Sequence, residues 1–222
     1  MCPPPPTREI TLCYVTDRKG LEVSPEEQCE ALVGRMEMAA RAGVDWIQLR
    51  EKDLPGRALA ELLREALRRV PAGCRIVLND RLDVACALGA GGVHLGRESL
   101  SVEDARRLAR GRGATQDFLV GASTHSLAAA LSAEKAGADY LVFGPVYATP
   151  SKAQYGPPQG IERLREVCHA VSLPVLAIGG ITVENARACL EAGAAGIAAI
   201  RLFEEASDLP AVVDALRRLQ ER

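Results

Sequence analysis

Three polar residues with alternating spacing follow a short apolar run in the first quarter of the chain. They are Gln48, Arg50 and Lys52. Successive side chains of an extended segment point to opposite faces, so these three share one face and Glu51 points the other way. Two cations on one face could grip a pyrophosphate group. The alternative is a solvated strand end, but the position directly after a buried run favours binding.

An amide and a carboxylate follow the next apolar run, as Asn79 and Asp80. Magnesium takes few protein carboxylates and completes its shell with water and substrate phosphate, so this pair could hold Mg²⁺. The alternative is structural, because Asp before a helix is a common N-cap.

Two later segments have the character of ligand-binding loops. Residues 144–160 form a long connection that contains Thr149, Ser151 and Lys152, although its prolines and glycines also suit a surface insertion. The Gly179-Gly180 pair precedes an apparent helix, where backbone amides could bind a phosphate or simply make a tight turn.

A recurring sequence pattern indicates the elements that must position these residues. In it, a helix end with glycine is followed by an apolar run. It occurs at residues 41–45, 88–92, 135–139 and 191–195. The apolar runs predict eight strands, at 10–15, 46–49, 75–78, 93–95, 118–121, 140–143, 175–178 and 197–200. Helical patterns separate them, for example at 58–70, 102–110, 127–136, 183–192 and 211–220.

Strict alternation of strand and helix predicts an α/β fold with a parallel sheet, and eight pairs close most naturally into a (β/α)₈ TIM barrel. An open doubly wound sheet would need a Gly-x-Gly-x-x-Gly turn after the first strand, where residues 15–19 have Val-Thr-Asp-Arg-Lys. In a barrel, the polar residues after each strand gather at one mouth.

Composition supports one domain over residues 1–222, with an extended, proline-rich lead-in at 1–8. Hydrophobic residues make up 48% and charged residues 25%, and the formal net charge of -2 provides no field for nucleic acid or an anionic membrane. The chain shows no membrane-length apolar stretch and no signal peptide, so we expect a cytoplasmic protein. The seven cysteines lack disulfide or zinc spacing and are expected to be reduced.

Together these motifs resemble the thiamine-phosphate synthase family over nearly the whole chain. The matching segments are Tyr14-Val15-Thr16-Asp17, Gln48-Leu49-Arg50-Glu51-Lys52, Asn79-Asp80-Arg81, Gly92-Val93-His94-Leu95-Gly96, Ser123-Thr124-His125, Gly144-Pro145-Val146-Tyr147 with residues 149–152, and Ile178-Gly179-Gly180-Ile181. The resemblance implies a transferase that joins a pyrimidine pyrophosphate to a thiazole phosphate with loss of pyrophosphate, in thiamine biosynthesis.

The resemblance also assigns expected roles. Those for the pyrimidine pyrophosphate fall on Gln48, Leu49, Arg50, Glu51, Lys52, Asn79 and Ser123, with Lys152 on the departing pyrophosphate. Those for the thiazole phosphate fall on Thr149, Pro150, Ser151, Gly180, Ile200 and Arg201. Arg50, Lys52, Ser123 and Lys152 are then the expected catalytic residues, because charge builds on the leaving group.

The metal site implied by the resemblance is Mg²⁺ on Asp80, with Ser99 where the family has a second Asp. Serine is a poor magnesium ligand, and the neighbouring Glu98 replaces it only if the loop twists. Where Arg201 stands the family tends to have a small polar residue, so Arg201 either strengthens phosphate binding or fills the pocket.

Two alternatives remain open. A sister family, the thiazole tautomerase, lacks the metal site and moves a proton with histidines; His125 would be one of them, but the second expected His is replaced by Pro145. His94 and His169 favour structural roles. The chain could also be a non-catalytic thiazole phosphate binder. The synthase resemblance further implies a homo-oligomer, for which we expect a homodimer.

Overall fold

The computed structural model describes residues 10–149 and 157–220, which form a closed barrel of parallel strands. Each strand pairs with its sequence neighbours, and β8 closes the barrel against β1. The strands are β1 Thr11–Val15, β2 Trp46–Leu49, β3 Arg75–Asn79, β4 Gly92–Leu95, β5 Leu119–Thr124, β6 Tyr140–Phe143, β7 Val175–Ile178 and β8 Gly196–Ala199. The predicted TIM barrel is confirmed.

Helices connect the strands on the outside of the barrel, as right-handed crossovers between parallel strands require. They are α1 Gln28–Arg41, α2 Gly56–Arg69, α3 Leu82–Leu88, α4 Val102–Gly111, α5 Leu127–Lys135, α6 Gly160–Ala170, α7 Val183–Glu191, α8 Arg201–Glu204 and α9 Leu209–Arg217. Short 3₁₀ turns lie at Arg18–Gly20 and Arg218–Gln220.

Alternation along the strands divides the apolar residues into two cores. One set faces the helices and forms the large outer core, which includes Leu12, Ile47 and Leu141. The other fills the barrel interior, with Cys13, Val15, Tyr140, Val142, Leu176 and Ala198 at its centre. Because both strand faces are buried, the strands appear in the sequence as continuous apolar runs.

The glycine joints that predicted the repeat adopt the expected conformation. Gly43, Gly89, Gly137 and Gly193 all have positive φ, between 71° and 101°. Glycine ends each preceding helix there without the steric cost that a Cβ would bring.

Several predicted bounds are wrong. β5 runs through Ser123 and Thr124, which the sequence placed in the following loop. Their backbones pair with Val142 and Phe143, so the strand continues although these two side chains are polar. Strand eight was expected at 197–200, but β8 is Gly196–Ala199 and Ile200 is the N-cap of α8. The last helix begins before residue 211, because Asp208 caps α9 through Ala211 N at 3.0 Å.

Within the described residues, none of the helices has both the length and the apolar character needed to cross a bilayer. The cysteines there are free thiols. The predicted lead-in at 1–8 lies outside the described residues.

Candidate active site

Polar side chains replace apolar ones in the barrel interior towards the C-terminal ends of the strands. The strand registers bring Asn79 beside His94, and Ser123 lies two residues beyond Gly121, the partner of His94. Gln48 is buried at 4% exposure one strand away from Asn79. The polar residues at the ends of β2 to β5 are therefore neighbours, as predicted, at the end of the barrel where barrel enzymes place their sites.

An ordered chain of amides leads to the acidic residue of the mouth. Gln48 Nε2 donates to Asn79 Oδ1 at 3.0 Å, and Asn79 Nδ2 donates to Asp80 Oδ2 at 2.7 Å. Each amide in turn holds the next side chain. The Asp80 carboxylate is therefore fixed from β2 and β3 together, which preorganises it for a ligand.

Asp80 also has an unusual backbone. Its φ is 62°, in the left-handed region that residues other than glycine seldom adopt and that clusters at functional sites. The helix-cap alternative is wrong, because α3 has Arg81 as its N-cap and no side-chain cap. Asp80 Oδ1 instead accepts from Ser99 Oγ and, at 3.4 Å, from Gly96 N.

Ser99 therefore occupies the place beside Asp80 where the resemblance implies a second metal ligand. Its hydroxyl accepts from Gly96 N at 2.6 Å while donating to the carboxylate. Glu98 is exposed and does not take that place. No cluster of three or more metal-ligating side chains exists among residues 10–149 and 157–220. One carboxylate suits Mg²⁺ only where substrate oxygens and water complete the shell.

A buried network fixes the backbone of Arg50. The Arg50 amide donates to Thr16 Oγ1 at 2.9 Å, and Thr16 Oγ1 donates to Glu51 Oε1 at 2.6 Å. Arg18 Nη1 binds the other Glu51 oxygen at 2.9 Å. Glu51 thus points away from the alternating trio, as its position predicts, and its contacts lie with the β1 loop.

Arg18 also contacts the exposed end of the loop that follows β2. Arg18 makes two hydrogen bonds of 2.7 Å to Asp53, and Lys19 approaches Asp53 at 2.9 Å. The contact with Arg18 lowers the pKa of Asp53. Lys52, between these acidic residues, is exposed, while Leu49 is fully buried towards the helices and could reach a ligand only through its backbone.

His94 lies at the bottom of the polar layer. Its Nε2 is 2.8 Å from Ser123 Oγ and its Nδ1 is 3.1 Å from the Tyr140 hydroxyl. Burial lowers its pKa to about 4; nearby Asp80 opposes this shift and Arg50 adds to it. His94 is paired with Asn79 in the strand register, and Asn79 donates to Asp80, so His94 lies below the carboxylate chain.

The other two histidines have different surroundings. His125 is exposed, and its Nδ1 contacts the Gly144 carbonyl oxygen. His169 lies on α6, with Nδ1 2.8 Å from the Arg165 carbonyl oxygen of the preceding turn. The structural role that the sequence favoured for His169 fits this helix contact.

Among residues 10–149 and 157–220, backbone groups make the contacts on the β6 to β8 side of the mouth. Val146 N donates to Ile178 O at 2.8 Å and Tyr147 N donates to Gly179 O at 3.0 Å. Gly180 has φ 64°, and a Cβ there would lie 2.5 Å from Ala148 O. Only glycine therefore fits this position, which Asn185 Nδ2 further fixes by donating to Gly180 O at 3.0 Å.

The remaining predicted residues of this side lie at the edges. Ile200 is partly buried and packs against the inner core, and Arg201 is exposed at the start of α8, so Arg201 does not fill the barrel. Thr149 is partly buried. Pro150, Ser151 and Lys152 lie outside the described residues.

Comparison with known proteins gives the same answer as the motifs. The thiamine monophosphate synthase family model matches residues 21–203. A thiamine-phosphate synthase of Methanoculleus marisnigri is 46% identical over 182 residues, covering 81% of this chain and 83% of that protein. This chain belongs to the thiamine monophosphate synthase family. The predictions of this family and of a transferase are confirmed.

Other relatives extend the likeness over nearly the full length. A thiamine-phosphate synthase of Chlorobium phaeobacteroides is 37% identical over 213 residues, covering 94% of this chain and 95% of that one. The solved thiamine phosphate pyrophosphorylase of Pyrococcus furiosus has a TM-score of 0.78 at 35% identity, covering 97% of both chains.

Sequence reasoning missed several residues that shape this family member's mouth. Thr16 and Tyr140 were assigned no role of their own, and His94 was assigned a structural one. Glu204 was also missed: it accepts from Tyr14 and from Asp17 N, both at 3.2 Å, and burial raises its pKa to about 7. Tyr140, the one residue of β6 with a polar atom in its side chain, was the available signal.

Proposed function

We propose that this chain is a thiamine-phosphate synthase that acts on two small phosphorylated substrates, a pyrimidine pyrophosphate and a thiazole phosphate. The observation that carries the proposal is the division of the mouth into two unlike sides. A cation and a fixed carboxylate lie on the β2 to β5 side, and a glycine backbone lies on the β6 to β8 side. The first suits a charged diphosphate with its metal, and the second suits a monophosphate.

The reaction would begin with cleavage of the bond between the pyrimidine methylene carbon and the pyrophosphate oxygen. Pyrophosphate leaves with the electron pair, and the thiazole ring nitrogen then donates its lone pair to the pyrimidine cation. Arg50, Lys52 and Lys152 would stabilise the charge that builds on the leaving group. Arg50 is best prepared for this role, because Thr16 holds its backbone amide at 2.9 Å.

Mg²⁺ belongs to the proposal as an ion that Asp80 would help to hold. When bound, the ion would neutralise charge on the leaving group. Asn79 would keep the carboxylate oriented, since it donates to Asp80 Oδ2 at 2.7 Å. Ser99 offers a hydroxyl rather than a second charge, so binding of the metal before the substrate should be weak.

The remaining site residues have supporting roles in this proposal. Gln48, Asn79 and Ser123 would hold the pyrimidine pyrophosphate, with Leu49 contributing backbone and Glu51 acting through Thr16 and Arg18. The thiazole phosphate would lie between Gly180 and the Ile200-Arg201 backbone, and Thr149, Pro150 and Ser151 are its further expected contacts.

A cytoplasmic homodimer completes the proposal. Large exposed apolar side chains occur on and beside α4 and α5, where Leu100, Leu108 and Leu131 are 40–47% exposed. Such a group supports self-association on that side of the barrel. Sedimentation at micromolar concentration should give a dimer, and a monomer would contradict this part of the proposal.

The deciding experiment mixes the two purified substrates with the protein across a magnesium titration. Pyrophosphate and thiamine phosphate should appear in equal amounts, and neither should appear when one substrate is omitted. No pyrophosphate at any magnesium concentration would contradict synthase activity. Thiazole tautomerisation, with His125→Ala as its control, and equilibrium binding of thiazole phosphate would then distinguish the sister enzyme from a simple binder.

A further inference from the structure

Three polar groups form a line across the barrel interior from β6 through β4 to β5. The Tyr140 hydroxyl is 3.1 Å from His94 Nδ1, and His94 Nε2 is 2.8 Å from Ser123 Oγ. Tyr140 and His94 are each 1% exposed, whereas Ser123 is only partly buried. The line therefore starts in the core and ends at the mouth.

The interior is shaped to hold the Tyr140 ring in this position. Its centroid is 4.8 Å from that of Trp46 in an edge-on arrangement. On the other side, a Cβ at Gly121 would lie 2.1 Å from Tyr140 Cζ, so the ring crosses β5 where a side chain is missing. The hydroxyl is thereby aimed at His94 rather than placed by chance.

The direction of the hydrogen bonds along this line follows from counting donors and acceptors. A neutral imidazole has one N–H and one bare nitrogen, so it must donate on one side and accept on the other. If Nδ1 carried the proton, His94 would donate to Tyr140, and the buried phenol proton would need another acceptor. Within residues 10–149 and 157–220, His94 is the hydrogen-bond partner that the Tyr140 hydroxyl has.

Leaving a buried hydroxyl proton without an acceptor costs about 1–3 kcal/mol, so this arrangement is disfavoured. In the opposite arrangement the Tyr140 hydroxyl and both ring nitrogens of His94 are satisfied. Tyr140 donates to bare Nδ1, and the Nε2 proton is donated to Ser123 Oγ. Ser123 then accepts from His94, and its own hydroxyl proton is left to donate towards the mouth.

We propose that Tyr140 and His94 are positioning residues that fix Ser123 as a hydrogen-bond donor facing the substrate. The substrate atom bound there is then an acceptor without a proton, such as a ring nitrogen of the pyrimidine. This inference deepens the proposed function and rests on it for the identity of the ligand. The direction of the line itself does not depend on that identity.

The first test measures the direction without any substrate. Ring-nitrogen NMR of the isotope-labelled protein distinguishes the two imidazole tautomers, and the chain has only 3 histidines to assign. His94→Gln identifies the signal by its loss. We expect the proton on Nε2 and none on Nδ1. A proton on Nδ1 would overturn the inference, whatever the protein is shown to catalyse.

The second test uses Tyr140→Phe, which keeps the ring and removes the hydroxyl. Nδ1 then has no donor, so the His94 tautomers should mix and Ser123 should lose its fixed direction. Tyr14→Phe is the matched control, because it removes another buried hydroxyl, on the outer side of the barrel. We expect the control to leave the His94 signal unchanged.

The kinetic readout compares the natural pyrimidine pyrophosphate with its two analogues in which one ring nitrogen is replaced by CH. Wild type should disfavour one analogue by about tenfold or more in kcat/KM, as expected for a lost hydrogen bond in a polar site. Tyr140→Phe should reduce that preference about threefold or more, mainly through KM. An unchanged preference in a folded, active Tyr140→Phe would contradict the inference, whereas an inactive wild type would contradict only the proposed function.

Discussion

The two sides of the mouth are built from different parts of the chain. From β2 to β5, side chains make the contacts: Gln48, Asn79 and Asp80 are joined by hydrogen bonds of 2.7–3.0 Å. In the described residues from β6 to β8, backbone groups make the contacts, and Gly179 and Gly180 leave the space for them. A side chain can be exchanged without moving the barrel. At a glycine in close contact, by contrast, an added Cβ forces the backbone itself to move. The two sides should therefore fail in different ways when mutated.

The largest effect is expected from the carboxylate of the side-chain half. Asp80→Ala removes the anion that the amide chain orients, and kcat/KM should fall on the order of a hundredfold, as for other preorganised electrostatic groups. Steady-state pyrophosphate release measures this loss. Asp83→Ala removes an exposed carboxylate three residues away and should keep wild-type kinetics. Equal losses in both variants would show that Asp80 acts through stability.

The next effect is expected from the backbone half. Gly180→Ala would place Cβ 2.8 Å from Tyr147 Cβ and 2.5 Å from Ala148 O, so the loop must move. We expect about a thirtyfold loss in kcat/KM for the thiazole phosphate, because misplacing a bound group by about 1 Å costs rate heavily.

Gly89→Ala is the matched control for this substitution. Gly89 has φ 71° but open space around its missing Cβ. It should cost about 1 kcal/mol of folding free energy through backbone strain alone and leave the kinetics unchanged. If Gly180→Ala behaves like this control in both measurements, the β6 to β8 backbone does not bind substrate.

A smaller effect is expected from the cation. Arg50→Ala should lower kcat/KM for the pyrimidine pyrophosphate about tenfold, or about 1.4 kcal/mol, the size of a lost charge-assisted contact. Arg57→Ala removes an arginine whose side chain is 92% exposed and serves as the control. Unchanged kinetics in Arg50→Ala would remove this residue from the site.

The smallest effect is expected at Ser99, where the side-chain half lacks a second charge. Ser99→Asp should raise activity about threefold at limiting Mg²⁺, and saturating metal should narrow the gap, because added carboxylate charge helps only where the ion is scarce. Ser99→Ala is the comparison that removes the hydroxyl bonded to Asp80. A magnesium titration in which Ser99→Asp and wild type coincide would show that the metal does not lie beside residue 99.

The side-chain half was the more predictable of the two. Alternation alone placed Gln48 and Arg50 on one face and turned Glu51 away, because strand geometry has a fixed period. The left-handed backbone of Asp80 could not be predicted, since the contacts of its carboxylate with Gly96 and Ser99 come from the loop after β4. Ser123 was placed in a loop for its polarity, although its neighbours in the register keep it in β5.

Long-range contacts also limit what the sequence can predict about the barrel interior. Tyr140 meets His94 and Gly121 only because three strands adopt one register, which no local pattern specifies. The glycine joints were predictable for the opposite reason: the positive φ at Gly43 and Gly193 is decided by the end of the preceding helix.

The most direct test of the account measures both Michaelis constants in two variants of the same enzyme. Arg50→Ala should raise KM for the pyrimidine pyrophosphate about tenfold and leave that for the thiazole phosphate near wild type. Gly180→Ala should show the reverse. The division of the mouth into a side-chain half and a backbone half is contradicted if each variant raises KM equally for both substrates. It is also contradicted if Arg50→Ala raises KM for the thiazole phosphate and Gly180→Ala raises KM for the pyrimidine pyrophosphate.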